Sequence, residues 1–430
     1  LLRFFQLHAH KVSQMYHYLR LSLLLVTTLS DVAIAQRWRE ISGSNQWSGL
    51  LDPLNIDVRR EVIRYGELAQ ATSDGFITDP ASPYAGACRY SPASLFTKVQ
   101  ASDPGAYRVT RFIYATSSAR LPEGFMARPL PVGAWSTESN WMGYVAVATD
   151  RGAAALGRRD IVVAWRATKR ATEWASDLDF ALVPAAGIVG PGRGWSQPYV
   201  HRGFLSVYTS KNSTSRFNRR SAREQVLTEV RALLDTYKNE DCSISITGHS
   251  LGGALSTLNA IDLVANGFNV RGSSRTPVPV TAIHFGAPRV GDEQFKKAFH
   301  AMAGLSLLRV RNVPDIVPTI LPPVIYADVG VELLVDTRKS PYLKEKAGPA
   351  QWHNLEGYLH GVAGTHGAGD SAGFGLEVDR DLALINKEED ALRDEYPVPA
   401  MWWAENNKGM VKNATGHWVL HDHEEGNLAL

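Results

Sequence analysis

Residues 243–256 read SISITGHSLGGALS, and the hydrophobic period changes in the middle of the stretch. SISIT is a short run of strand character, whereas LGGALSTLNAIDLVANG is apolar at i, i+3 and i+4 and stops at Asn266 and Gly267, as a helix does. Strand, tight turn and helix therefore meet at Ser250. At such a corner the strand end and the helix start crowd each other, which gives Gly248 and Gly252 a steric reason to lack Cβ. The turn pushes the Ser250 hydroxyl outward and aims the Leu251 amide into the same space. A Gly-rich turn whose serine only caps the helix is the bland alternative. The strand before and the long helix after favour a nucleophile elbow in an α/β fold.

The whole chain accommodates such a fold. Its 430 residues are 44% hydrophobic and 20% charged, an ordinary globular composition with ample material for a core. No repeat, charge block or low-complexity linker divides it, so residues 36–430 are read as one domain. Lys and Arg total 45 against 43 Asp and Glu, and the basic residues are scattered, which argues against a nucleic-acid partner. Cys88 and Cys242 are too few and too isolated for a disulfide framework or a zinc site. A reducing, cytoplasmic setting fits them. Against it, residues 15–36, MYHYLRLSLLLVTTLSDVAIAQ, have an apolar stretch at 21–29 and a small-x-small end at Ala33 and Ala35. That pattern is a signal peptide's, is too short for a transmembrane span, and keeps the secretory pathway as the alternative. Residues 1–35 are thus an extension, signal-like or an artefact of the gene model.

Other elements follow from pattern. Residues 57–71 carry apolar side chains at helical spacing. Residues 107–114, 141–148 and 161–165 read as strands, and the Gly- and Pro-rich residues 185–199 as a surface loop. Residues 221–241 open with Ser221 and Glu224 at capping-box spacing and form a helix leading into SISIT. Two further buried runs, 278–291 and 305–318, continue the alternation of strand and helix.

A serine hydroxyl needs a base and a carboxylate to orient it, in the chain order Ser, Asp or Glu, His. Asp315 lies just past the apolar run LSLLRVR, in a loop bounded by Pro314 and Pro318, where α/β enzymes place catalytic groups. A plain turn-forming aspartate is the other reading. Among the histidines beyond it, His353 and His360 share WHNLEGYLHGVAG, and a seven-residue spacing puts both on one face if the segment is a continuous helix. Spacing alone does not choose between them.

GHSLGGALSTL, FGAPRVGD, RVRNVPDIVP, WHNLEGYLHGVAGT and residues 138–168 together resemble the plant phospholipase A1 group of class III lipases, relatives of the fungal triacylglycerol lipases. The resemblance runs from about Gln36 to the C-terminal HWVLHDHEE. It implies an α/β-hydrolase fold, with a mostly parallel central sheet flanked by helices, and a triad of Ser250, Asp315 and His353. It also implies a cytosolic acyl hydrolase that cleaves the sn-1 ester of glycerolipids at a lipid interface, with no metal or other cofactor. One oxyanion donor is then the Leu251 amide and the other Thr168, in Trp165-Arg166-Ala167-Thr168. Here Ala167 replaces a glycine of the family pattern. If that glycine is used for positive φ, the alanine is strained by roughly 1 to 2 kcal/mol; otherwise it is harmless.

Residues 169–180, KRATEWASDLDF, resemble the fungal lid, with Trp174 at its centre; a core-facing tryptophan on an ordinary helix is the alternative. His201, His249 and His284 read as structural. Two other functions stay open: a lipase-like signalling scaffold without catalysis, and an esterase or lipase acting on mono- or diacylglycerol.

Overall fold

The computed structural model describes residues 37–79, 82, 84–118, 139–168, 180–271, 276–367, 373–403 and 410–420. The signal-like stretch and Trp174, with the rest of 169–179, lie outside these residues. Seven strands make one sheet in chain order: β1 (Tyr107–Ala115), β2 (Asn140–Ala148), β3 (Arg159–Trp165), β4 (Cys242–His249), β5 (Val280–Phe285), β6 (Leu305–Asn312) and β7 (Val331–Val335). The β1/β2 and β2/β3 pairs are antiparallel, and every pair from β3/β4 to β6/β7 is parallel. The helices that position the site are α1 (Ile56–Asp74), α2 (Arg202–Thr209), α3 (Ala222–Thr236), α4 (Leu251–Ala265), α5 (Glu293–His300), α6 (Pro349–His353) and α7 (Leu355–Gly364). This is the α/β-hydrolase architecture.

A parallel sheet that always grows toward the same edge, joined by right-handed crossovers, places all its crossover helices on one face. Residues alternate along a strand, so the two faces are separable in β3. Ile161, Val163 and Trp165 share a core with α2, α3, α4 and α5. Val162 and Ala164 face the opposite way, into a core closed by α1 and α7. The segments before and after the sheet thus cover the face that the crossovers leave bare.

The periodic segments form as their spacing predicts. The helix read over 57–71 is α1, and the capping box at α3 is complete: Ser221 Oγ accepts from the Glu224 amide at 3.2 Å, and Glu224 accepts from the Ser221 amide at 2.9 Å. Residues 185–199 form the largely exposed loop expected of their glycines and prolines, with part of it tied inward. Their flanks pair as a small antiparallel ladder, Leu182–Pro184 with Tyr199–His201, and Ala185, Ile188 and Val189 are buried. Apolar side chains between the turn formers join the core that Ile161, Val163 and Trp165 share with α2 to α5. No helix among the described residues is long and apolar enough to cross a membrane.

Candidate active site

Ser250 stands between β4 and α4 with φ 56° and ψ −123°. A side-chain-bearing residue in so sparsely populated a region costs about 1–3 kcal/mol. The corner is held by hydrogen bonds: the Ser250 amide donates to the Phe285 carbonyl at 2.9 Å, and the Ser250 carbonyl accepts from Gly253 at 2.9 Å and Ala254 at 3.2 Å. The glycines make the corner possible. A Cβ on Gly248 would lie 2.4 Å from the Gly252 carbonyl, and one on Gly252 would lie 2.3 Å from the Trp165 carbonyl oxygen. The first turn of α4 therefore rests directly on the end of β3. Its free amides, Leu251's among them, and the positive end of the helix dipole face the space beyond Ser250.

Asp315 sits three residues past β6, and its amide donates back to the Asn312 carbonyl at 3.0 Å. Its Oδ1 accepts from the Val317 amide at 3.0 Å. Its Oδ2 lies 2.7 Å from His353 Nδ1 and accepts from the Tyr358 hydroxyl at 2.6 Å. A buried carboxylate is an acceptor, so the Nδ1 it faces carries the proton and Nε2 of the neutral ring is left as a base. His353 Nε2 and Ser250 Oγ are both buried, and neither has a hydrogen-bond partner. Such orphaned polar atoms are costly and rare in native cores. The structure thus holds an imidazole oriented by Asp315 and, on a strained corner, a buried hydroxyl that does not bond to it.

His353 and His360 do not share a helix face. Asn354, with ψ 125°, ends α6 and caps α7: its Oδ1 accepts from the Glu356 amide at 3.1 Å, and its amide group donates to the Ile385 carbonyl at 3.0 Å. The break turns His353 toward Asp315 and leaves His360 against Ser340 Oγ at 2.7 Å. Burial, with Arg380 nearby, pulls the His360 pKa down to about 3. His249 lies beside the triad, its ring 4.5 Å from that of His353, and burial, followed by the nearness of this second titratable ring, holds its pKa well below the usual value. His201 caps α2 by accepting the Gly203 and Phe204 amides, and His284 is buried with its pKa lowered to about 3, chiefly by desolvation.

Thr168 is buried three residues past β3. The peptide before it is pinned by Arg166, whose Nη1 donates to the Ala167 carbonyl at 2.6 Å and whose Nε donates to the Trp141 carbonyl at 2.8 Å. The guanidinium lies 3.7 Å from the Phe76 ring centroid, and burial lowers its pKa to about 9. Because a trans peptide sets its C=O and N–H in opposite directions, fixing the Ala167 carbonyl fixes the Thr168 amide. Ala167 is not among the residues at positive φ, so the alanine carries none of that strain.

Three residues at the site escape the sequence reading. Tyr358 donates to Asp315, Arg166 holds the loop before Thr168, and Gly286 (φ 56°) closes the floor. A Cβ on Gly286 would lie 3.0 Å from Tyr358 Oη and 3.1 Å from both Asp315 Oδ2 and His353 Cε1. The available signals were a glycine at the exit of a buried strand and a tyrosine one turn into the helix after His353. Nothing local marks Arg166. A cavity of about 470 Å³ lies elsewhere, lined by Arg64, Asp74, Arg380 and Lys387 but by none of the residues around Ser250.

The chain matches the family described as lipase (class 3) over residues 162–325. A protein of Oryza sativa subsp. japonica named Phospholipase A1-II 3 is 72% identical over 417 residues, covering 96% of this chain and 99% of the relative. Phospholipase A1-II 2 of Oryza sativa subsp. indica is 56% identical over 395 residues, with coverages of 91% and 97%. A triacylglycerol lipase from Penicillium expansum of known structure aligns at 20% identity with a TM-score of 0.42, over 65% of this chain and 80% of that one.

Proposed function

Because the chain belongs to the plant phospholipase A1 group of class 3 lipases, we propose that it is a serine acyl hydrolase that releases the sn-1 fatty acid of a glycerophospholipid, with Ser250 as nucleophile. The observation that carries this reading is the pair of buried, unpartnered atoms, Ser250 Oγ and His353 Nε2, at the end of the chain Tyr358–Asp315–His353. His353 Nε2 takes the Ser250 proton as Oγ bonds to the ester carbonyl carbon. Negative charge then collects on the carbonyl oxygen, where the Leu251 amide and Thr168 supply the donors; losing one such donor typically lowers the rate by about 10²- to 10³-fold. Collapse breaks the bond to the sn-1 glycerol oxygen, which leaves with the proton from His353. Water, deprotonated by His353 in turn, opens the acyl-enzyme and frees the fatty acid.

The reading is tested with phosphatidylcholine labelled separately at sn-1 and sn-2, using protein that starts at Gln36. Label is expected from sn-1 alone and none from Ser250→Ala protein. Release from sn-2, or continued turnover by Ser250→Ala, contradicts it. Cys88 and Cys242 are free thiols, which favours the cytosol as the compartment.

A further inference from the structure

Residues 316–327, IVPTILPPVIYA, follow the triad aspartate directly and contain no charged side chain. An uncharged run of twelve residues normally belongs in a core. Here Val317 and Leu321 are buried, but Ile316 is 48% exposed, Ile325 42% and Val324 89%. The base of this loop is clamped. Arg289 Nη1 donates to the Leu321 carbonyl at 2.5 Å and its Nε to Asp328 at 3.0 Å, and Asp328 also accepts from Arg309 at 2.6 Å. The tip is held stiffly outward between these anchors and Pro318, Pro322 and Pro323.

The backbone of the tip is also unusual. Pro322 and Pro323 have no N–H, and the Ile325 and Tyr326 amides both donate to the Pro322 carbonyl, at 3.1 and 3.0 Å. A segment that enters hydrocarbon must leave few backbone donors without partners, because water is absent there. A protein partner or a second copy of the chain makes no such demand. The Tyr326 hydroxyl donates to the Phe180 carbonyl at 3.1 Å, and Phe180 is itself 48% exposed, so the apolar surface extends from beside Asp315 to Phe180. It lies at the carboxyl end of the parallel strands, where Ser250, Asp315 and Thr168 emerge from β4, β6 and β3.

We propose that the loop 316–327 is an interfacial anchor, inserting Val324 and Ile325 into the acyl region of a phospholipid surface so that the adjacent site faces its substrate. This rests on the phospholipase reading for its occupant, a lipid surface, and adds the element that docks on it. Binding through an apolar tip is driven by burial rather than by charge, and each buried aliphatic side chain is worth at least about tenfold in affinity.

Sedimentation with sucrose-loaded phosphatidylcholine vesicles, using Ser250→Ala protein so that no product forms, measures docking by itself. Val324→Asp/Ile325→Asp should weaken vesicle binding by about 100-fold or more, and 0.5 M salt (roughly a 4 Å Debye length) should leave wild-type binding unchanged. In proteins with Ser250 intact, the double variant should lose hydrolysis of vesicles while keeping that of a soluble short-chain ester. A Val324→Trp protein should show a blue shift in tryptophan emission on the same vesicles. Undiminished vesicle binding by the double variant, or no shift from Trp at 324 in vesicle-bound protein, overturns the anchor. Failure of unaltered protein on both soluble ester and vesicles would overturn the phospholipase reading instead, so the two outcomes are distinct.

Discussion

Gly286 shows how closely single residues are fitted around the proposed triad. It sits at φ 56° with three site atoms within 3.1 Å of where a methyl group would stand. Gly286→Ala is therefore expected to cost about 1–2 kcal/mol of stability from backbone strain and to lower kcat further, by displacing His353 or Tyr358. Thermal unfolding beside kcat separates the two effects; a variant with wild-type kcat would show the floor to be slack. Ala167 is the opposite case. Since it is not held at positive φ, Ala167→Gly should change kcat by no more than about twofold, a barrier change of about 0.4 kcal/mol. A large gain in activity would mean that the methyl group displaces Thr168. The elbow serine was legible because its two neighbouring glycines sit in the motif itself. Gly286 and Arg166 were not, because, apart from the Ala167 carbonyl beside Arg166, the groups they meet are more than twenty residues away in the chain.

At the scale of elements, the decisive feature is the break at Asn354. A continuous helix would have carried His353 and His360 on one face, and the periodicity of WHNLEGYLHGVAG offers no way to tell them apart. The short helix α6 ends in an asparagine that caps α7, so His353 belongs to one element and Tyr358 to the next, and the two converge on one carboxylate oxygen. Tyr358 is buried, with its hydroxyl held neutral by burial and by Asp315. Replacing it removes a hydrogen bond to a charged group, worth about 1.5–3 kcal/mol. Tyr358→Phe should lower kcat by about 10- to 100-fold with KM nearly unchanged, since the phenol touches Asp315 and not the substrate. A rise in KM at constant kcat would place Tyr358 in substrate binding instead. Strands and helices with clean periods were readable along the chain. The loop 185–199 was readable too, but its buried Ala185, Ile188 and Val189 were not, because they are scattered among turn formers and show no period.

For the molecule as a whole, buried histidines set a pH limit. His249, His284 and His360 are held neutral in the folded protein, the last two with pKa values near 3, mainly by desolvation. In the unfolded chain they titrate near 6.5. Below that value the unfolded state takes up protons that the folded state refuses, so the stability they support above pH 6.5 is lost as pH falls. Each contributes up to about 1.4 kcal/mol per pH unit across that window. Denaturant midpoints measured between pH 7 and 5 should fall steeply, and less steeply for His360→Gln; a flat profile would mean that these rings take up protons in place. Protein beginning at Gln36 should also unfold in one cooperative step, as a single domain built on one sheet would, whereas two separated transitions would divide it. The architecture was legible because strand and helix periods alternate from β3 onward. The covering of the second face by α1 and α7 was not, since it depends on contacts between the two ends of the sheet-forming region.

The most direct test of Ser250 as the nucleophile is covalent. Protein incubated with an alkyl phosphonate ester carrying a good leaving group should gain one phosphonyl group, located by peptide mass spectrometry at Ser250, with loss of fatty-acid release in proportion. Labelling at any other residue, or turnover that persists once Ser250 is fully modified, would contradict the assignment.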